Sequence, residues 1–512
     1  MVPLQLQPES HVPLYVQIRD QLRALVSSGE LRAGDRIPAS RELANQLGVH
    51  RTTVANAYAE LEADGLIQGH VGRGTFILGT TKPAAITPPP PAHNGHGGVR
   101  WESLFADERG EEALSRLCPA TLPNAISFLN ARPPEELFPI EEFRSCCNTV
   151  LKRDGKTILQ FGSAEGYAPL KEAVRELLRR TGIHAADDEI LITDGCQQSL
   201  DLLCKAFLRP GDTVVLENPT YPGAIAIFSG AHVRCVGVPV QTGMNGSEAG
   251  IELGALEAAL LQNRVKLMVV TPDFQNPTGT TMPVAARRKL LELAGRHQVP
   301  VVEDHIYGGL WVRNSKVPSL KSLDRAGVVI HLDSFSKVAF PGLRVGWVVA
   351  PKSVTDRLRL VKQAADLHTD QLAQAALAEF ARRGQFERHL ARMRKVYARR
   401  LAVMENALER HLPAGVTWAK TGGGMAVWLT LPPGFDASEL LIHVRERGVL
   451  FAPGRYFYFQ QPQPNTMRLA FAALDEKQIS RGVALLGEVL RSEMRKRERG
   501  VRREFRGAIA LV

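Results

Sequence analysis

The chain has 512 residues and a formal net charge of +10, and it is 44% hydrophobic, 23% charged and 6% aromatic. That balance is ordinary for globular proteins and excludes wholesale disorder, and at roughly 150 residues per domain it suggests about three folding units. No apolar run approaches the roughly 20 residues needed to span a bilayer, which excludes a membrane-embedded protein.

The opening MVPLQLQPES has neither a basic start nor an apolar core, so no secretory signal is expected. Six cysteines (118, 146, 147, 196, 204 and 235) are few for this length and show no CxxC spacing. They suit a reducing cytoplasm better than a disulfide scaffold or a zinc site, and no metal site is expected. The vicinal pair Cys146 and Cys147 reads as ordinary packing.

Residues 1–78 form the first region. PLYVQIRDQL opens a helix, and PASRELANQLGVHRTTVANAYAELEADGLI has the layout of a helix-turn-helix. Ser40 is placed to cap a helix that carries Glu42 in its first turn and buries Leu43 and Leu47. Gly48 supplies the turn. A second helix runs from Arg51, with Val54, Tyr58 and Leu61 at helical spacing on its inner face. Arg51, Thr52 and Thr53 then lie on its N-terminal turn, the part of a recognition helix that meets base edges. GLIQGHVGRGTFI reads as a two-stranded wing with Arg73 between glycines at its tip, where a bare backbone at Gly74 can approach a phosphate.

Residues 79–105 contain TTKPAAITPPPPAHNGHGG, which reads as a semi-rigid, partly extended linker. From 106 to 490, apolar runs (DTVVLENP, VKLMVVTP, VPVVEDHIY, GVVIHLDSFSK, RVGWVVAP) alternate with helix-length segments. The expectation is an α/β domain with a parallel sheet covered on both faces. Residues 491–512 form a tail with eight basic residues against three glutamates, whereas residues 1–80 hold seven arginines, no lysine and eight acids. Charge alone therefore points to the tail and the motifs to the other end. The motifs carry more, because DNA binding needs a basic face and not a basic average.

The chemistry of the large region centres on DSFSKVAFPGLRVGW. Lys337 follows an apolar strand into the interior, where desolvation lowers its pKa and frees the amine for a carbonyl. Ser334, Ser336 and Arg344 flank it with hydroxyls and a fixed cation, the groups that hold a phosphate. In EILITDGCQQSLDLL a strand turns into a helix at Cys196 and Gln197, whose backbone N–H groups can cradle the same phosphate. Asp304, at the end of another apolar strand, would keep a pyridine nitrogen protonated. Tyr307 and Asn276 offer hydrogen bonds to a ring hydroxyl, and Tyr221 a face for stacking.

The first region closely resembles the winged-helix domain of GntR-family regulators. The resemblance implies DNA contacts from Arg41, Arg51, Thr52, Thr53, Arg73 and Gly74. His50 stands where that family usually has a capping serine, and it either caps the helix or faces the DNA. The large region resembles fold-type I aminotransferases, with a large α/β domain on a mainly parallel sheet and a smaller α+β domain. By that resemblance the cofactor is pyridoxal 5'-phosphate, Lys337 its Schiff-base lysine and Asp304 its ring-nitrogen partner. Arg468, in TMRLAFA, matches the arginine that takes a substrate or effector α-carboxylate, a bidentate task lysine performs poorly. Phe161 replaces a tyrosine that reaches the neighbouring subunit's phosphate, so either Tyr167 substitutes or the phosphate is held less tightly. Asp273 and Phe274 replace a Ser-His pair often seen in regulator-type sequences.

Together the two halves resemble the MocR subfamily of transcription regulators. The resemblance implies a homodimer, with heads swapped head-to-tail onto the partner as one arrangement, and a double-stranded DNA operator. It implies an amino acid or pyridoxal phosphate as effector, and a cytoplasmic location on the nucleoid. The alternative is a working aminotransferase with a DNA-binding head. A third reading gives the basic tail the nucleic-acid contact, against the plainer one of a solvated helix extension.

Overall fold

The computed structural model describes residues 14–28, 34–63, 66–70, 74–77, 124–243, 249–312 and 316–509, with a few isolated positions besides and side chains as far as Arg497. The linker expected at 79–105, Arg73 and Cys118 lie outside the described residues. The chain divides into two compact units, Met1–Leu104 and Phe105–Val512.

The first unit holds α1 (Leu14–Ser28), β1 (Arg36–Ile37), α2 (Ser40–Leu47), α3 (Arg51–Ala63), β2 (Ile67–His70) and β3 (Gly74–Ile77), with the strands in the order β1-β3-β2. Ile18, Leu22, Leu43, Val54, Tyr58 and Leu61 bury one face of each helix against Ile67 and Ile77 of the wing. Ser40 does not cap α2. The cap position belongs to Ala39, which makes no side-chain bond, and Ser40 is already the first helical residue. The helix start rests instead on Glu42 in the first turn, where a carboxylate complements the exposed N–H groups. Gly48 closes α2 in the left-handed conformation. His50 is a cap: its Nδ1 accepts from the Thr52 N–H at 3.4 Å and lies 2.8 Å from Thr52 Oγ1.

The second unit is built on an eight-stranded sheet. In chain order its strands are β4 (Ile190–Thr193), β5 (Thr213–Asn218), β6 (Arg234–Thr242), β7 (Ala249–Ile251), β8 (Val265–Val270), β9 (Val301–Asp304), β10 (Val329–Ser334) and β11 (Gly346–Val349). Across the sheet they run β4-β11-β10-β9-β8-β5-β6-β7. The sheet is mainly parallel, but β11 is antiparallel to both neighbours and β7 to β6. RVGWVVAP is thus an antiparallel strand and not the parallel one expected. The connection between β10 and β11 is too short for the crossover that a parallel pair requires.

Side chains alternate across the sheet. Val302, Ile330, Leu332 and Val348 pack with Leu200 and Leu203 of α4 (Cys196–Phe207) on one face. Val301 and Val329 pack with Leu256 and Leu290 on the other. The smaller α+β part is a four-stranded antiparallel sheet of Thr417–Trp418, Ala426–Thr430, Thr466–Ala470 and Ala452–Pro453. It packs with the long helices α5 (Gln385–His411) and α6 (Glu476–Ile509). The basic tail is the end of α6, which runs unbroken through position 491. No helix among the described residues is long and apolar enough to cross a membrane.

Candidate functional site

Ser334 ends β10, the turn after it carries Ser336 and Lys337, and Arg344 follows a further turn at Pro341–Leu343. Ser334 Oγ donates to Ser336 Oγ at 2.9 Å. Arg344 reaches Ser336 Oγ with Nη1 at 3.2 Å and the Asp194 carbonyl with Nη2 at 2.9 Å. Asp194 and Gly195 lead directly into α4, so the guanidinium, a serine hydroxyl and the free N–H groups of Cys196 and Gln197 meet at one point. Only glycine suits position 195: its φ is +95° and an added Cβ would come within 3.0 Å of Arg344 Nη2.

Lys337 Nζ donates to the Ala131 carbonyl at 2.9 Å. Burial, reinforced by the charge of Arg468, pulls its pKa down to about 8, while Asp304 and Cys196 act against the shift. Asp304 is buried where β9 ends, and burial pushes its carboxyl up to about 6 against a bond from the Ile306 N–H at 3.3 Å. Burial likewise raises the Tyr307 hydroxyl and the Cys196 thiol.

Other candidates bind one another. Tyr221 Oη donates to Gln197 Oε1 at 3.0 Å. Arg468 donates from Nη1 to Asn276 Oδ1 at 2.7 Å and from Nη2 to the Leu129 carbonyl at 2.5 Å, with its guanidinium 4.7 Å over the Phe457 ring. Sequence reasoning missed Leu129, Ala131 and Asp194, which act through backbone carbonyls, and Phe457, which acts as a surface. It also missed Gln275, whose Nε2 donates to the Pro219 carbonyl at 2.8 Å and to buried Glu217 at 3.1 Å, steadying the segment that carries Asn276.

These groups fit pyridoxal phosphate. A cation with hydroxyl and N–H donors suits the phosphate, an amine poised to deprotonate suits the aldehyde, and a buried carboxylate suits the ring nitrogen. Arg468 Nε is buried with no partner, a donor in reserve for a carboxylate. Two substitutions have local explanations. Asp273 is held by Arg287, Nη2 to Oδ1 at 2.7 Å and Nη1 to Oδ2 at 3.0 Å, and Phe274 packs against Gly423 and Gly424. Phe161, which has no donor to offer, is 78% exposed, while Tyr167, the candidate substitute, donates to Asp154 Oδ2 of its own chain at 3.4 Å.

In the first unit Arg41 is exposed at the start of α2, and Arg51 and Thr52 are exposed with Thr53 half-buried on the first turn of α3. Gly74 opens β3.

The family of bacterial regulatory proteins named gntR matches residues 14–77, and the aminotransferase class I and II family matches residues 137–486. Together they define a DNA-binding regulator built on a pyridoxal-phosphate fold. The chain is 40% identical to the 2-aminoadipate transaminase of Thermus thermophilus over 77% of its own length and 98% of that protein's. It is 30% identical to the probable rhizopine catabolism regulatory protein MocR of Rhizobium meliloti over 94% of both chains. Among solved structures, the α-aminoadipate aminotransferase LysN, also of Thermus thermophilus and complexed with N-(5'-phosphopyridoxyl)-L-leucine, superposes with a TM-score of 0.69 at 38% identity, covering 77% of this chain and 99% of that one. The chain belongs to the MocR-type regulators, a gntR-family head joined to an aminotransferase class I and II domain, and its cofactor is pyridoxal phosphate.

Proposed function

We propose that this regulator senses an amino compound, an amino acid or a close analogue, and that occupancy of the cofactor site alters operator binding. The observation that carries this reading is that one short segment holds both Lys337 and Arg468, the amine on the Ala131 carbonyl and the guanidinium on the Leu129 carbonyl, in a chain whose first unit is a DNA reader. Pyridoxal phosphate supplies a carbonyl that condenses reversibly with amines and a ring that withdraws electrons. Around it, Ser334, Ser336, Arg344 and the start of α4 would hold the phosphate. Asp304 would hold the ring nitrogen, Asn276 and Tyr307 would bond the ring hydroxyl, and Tyr221 would cover the ring. Lys337 would supply the amine that holds the aldehyde, and Arg468 would take the effector's carboxylate. For this to regulate, the effector must bind two states unequally, and a coupling of about 1–3 kcal/mol is typical.

Arg41, Arg51, Thr52, Thr53, Arg73 and Gly74 are the proposed DNA contacts. A homodimer fits this arrangement, since two winged helices span two half-sites, and the exposed Leu159, Phe161 and Leu367 offer apolar surface for it. Heads exchanged onto the partner belong to the same proposal.

The second reading, an active aminotransferase, draws support from the presence of Lys337, Asn276 and Arg468 together and from the transaminase relative. A visible-absorption titration with a panel of amino acids, using Lys337→Ala as the blank, separates the two. A lasting spectral change with no keto acid released, together with altered affinity for duplexes selected from a random-sequence library, is the result expected. Stoichiometric keto acid with unaltered DNA affinity would make the chain a transaminase.

A further inference from the structure

The large sheet has a second polar face, which the cofactor residues leave unused. Glu303 lies beside His331 across β9 and β10, and His305, just past β9, meets Asp333 on β10. By alternation these four side chains point away from the face of Asp304 and Ser334. His331 is 1% exposed, and its Nδ1 is 2.8 Å from Glu303 Oε2. Glu303 is fully buried and fixed in turn by the N–H groups of Leu320 at 2.5 Å and Lys321 at 3.0 Å. A carboxylate so placed keeps the proton on Nδ1 and leaves the lone pair on Nε2, the arrangement that orients histidine for a metal.

His305 Nδ1 is 3.2 Å from Asp333 Oδ2, and the two imidazole rings are 4.9 Å apart. One ligand atom each from His305, His331 and Asp333 lies within 4.8 Å of the other two. All three line a cavity of about 260 Å³, together with Trp311, Leu390 and Arg394.

Asp273, 3.7 Å from His305 Nε2, is already neutralised by Arg287. Among the described residues Glu303 and Asp333 have ion-pair contacts only with the two histidines. Asp333 and Asp273 hold a proton on His305 in the metal-free chain, and a divalent ion bound here takes that proton's place.

We propose that His305, His331 and Asp333 bind a divalent transition-metal ion of the class that imidazole and carboxylate share (Zn²⁺, Co²⁺ or Ni²⁺), with the remaining coordination position open to the cavity. Ligand bonds of about 2.0–2.2 Å bring such atoms to roughly 3.4 Å from one another, so binding draws the three side chains together. Linear sequence gave no sign of the site, because its ligands sit on neighbouring parallel strands and only His331 and Asp333 show a spacing, that of one strand face.

The test uses the untagged, cofactor-loaded full chain and Co²⁺ as the probe. One equivalent of Co²⁺ per chain should bind with visible ligand-field absorption and be displaced by Zn²⁺. His305→Asn and Asp333→Asn should each weaken binding at least tenfold with the cofactor's own absorption retained. Absence of the ligand-field bands, or bands that survive either substitution, would overturn the proposal. Should a variant fail to fold, the wild type decides alone: proton NMR of the Co²⁺ form should show two hyperfine-shifted imidazole N–H signals, and fewer than two would refute the ligand set.

Discussion

Arg468 Nη1 donates to Asn276 Oδ1 at 2.7 Å, so the residue proposed to take a carboxylate and the residue proposed to bond the cofactor ring hold each other. Leu129 O and the Phe457 ring complete the clamp, and only Nε is left without a partner. The guanidinium is therefore oriented before any ligand arrives, which lowers the entropy lost on binding. Arg468→Lys, which cannot bind bidentately, should weaken α-amino acids about 10- to 100-fold in the absorption titration and leave amines without a carboxylate unchanged. Equal weakening of both classes would place Arg468 outside the carboxylate site.

The cofactor-free protein should show a pH dependence set by Lys337. Burial and Arg468 hold its ammonium at about 8 instead of the ordinary 10.5, and the neutral amine is the reactive form. The rate of pyridoxal phosphate uptake should rise as pH increases toward about 8 and then level off. A rate that still climbs steadily to pH 10 would contradict this.

Acid should destabilise the fold through His389. It is 3% exposed, stacked on Phe340, and both ring nitrogens lack partners. Burial, then Arg392, lowers its pKa from 6.5 to about 4. Below 6.5 the unfolded chain takes a proton that the folded one refuses until about 4, so stability falls as pH drops through that window. The loss at the lower end is up to about 3 kcal/mol. His389→Leu should flatten urea midpoints between pH 7 and pH 5.

Arg287 has no exposed surface, and besides Asp273 it bonds the carbonyls of Met282, Pro318 and Pro272. Arg287→Leu strands a buried carboxylate and should cost about 3–5 kcal/mol, read as a lower urea midpoint. No change would mean that the buried pair adds nothing to stability.

At the DNA head, Arg51→Ala should remove about 1–3 kcal/mol of discrimination between selected and scrambled duplexes. Cutting the chain at about residue 490 should leave that discrimination intact. The reverse pattern would move the DNA site to the basic end of α6.

Much of the site was legible because its side chains stand where apolar runs stop. Asp304 closes VVED, Lys337 lies in the turn after β10, and Cys196 opens a helix after a glycine. What was not legible depends on groups without a sequence signature or on partners far along the chain. Leu129, Ala131 and Asp194 contribute only carbonyl oxygens, and any residue has one. Phe457 meets Arg468 only when two strands of the small sheet pair. The direction of β11 hung on the length of a connection, and the cap of α2 on one residue of phase between Ala39 and Ser40. In the gntR-type head the order of helices, turn and wing strands was legible, whereas the cap at Ala39 and the capping by His50 were not.

The pairing of Asp304 with Leu332 and of Glu303 with His331 fixes which of two consecutive residues, Asp304 or His305, looks toward the cofactor. A strand shifted by one position exchanges the faces of all its side chains, so a misregistered β9 would offer an imidazole where the ring nitrogen needs a carboxylate. Uptake of the yellow cofactor therefore proofreads the central sheet. During refolding, colour that stays with the protein once free cofactor, itself yellow, is removed should mark only molecules whose middle strands have found their partners, which gives folding of this regulator a built-in optical reporter.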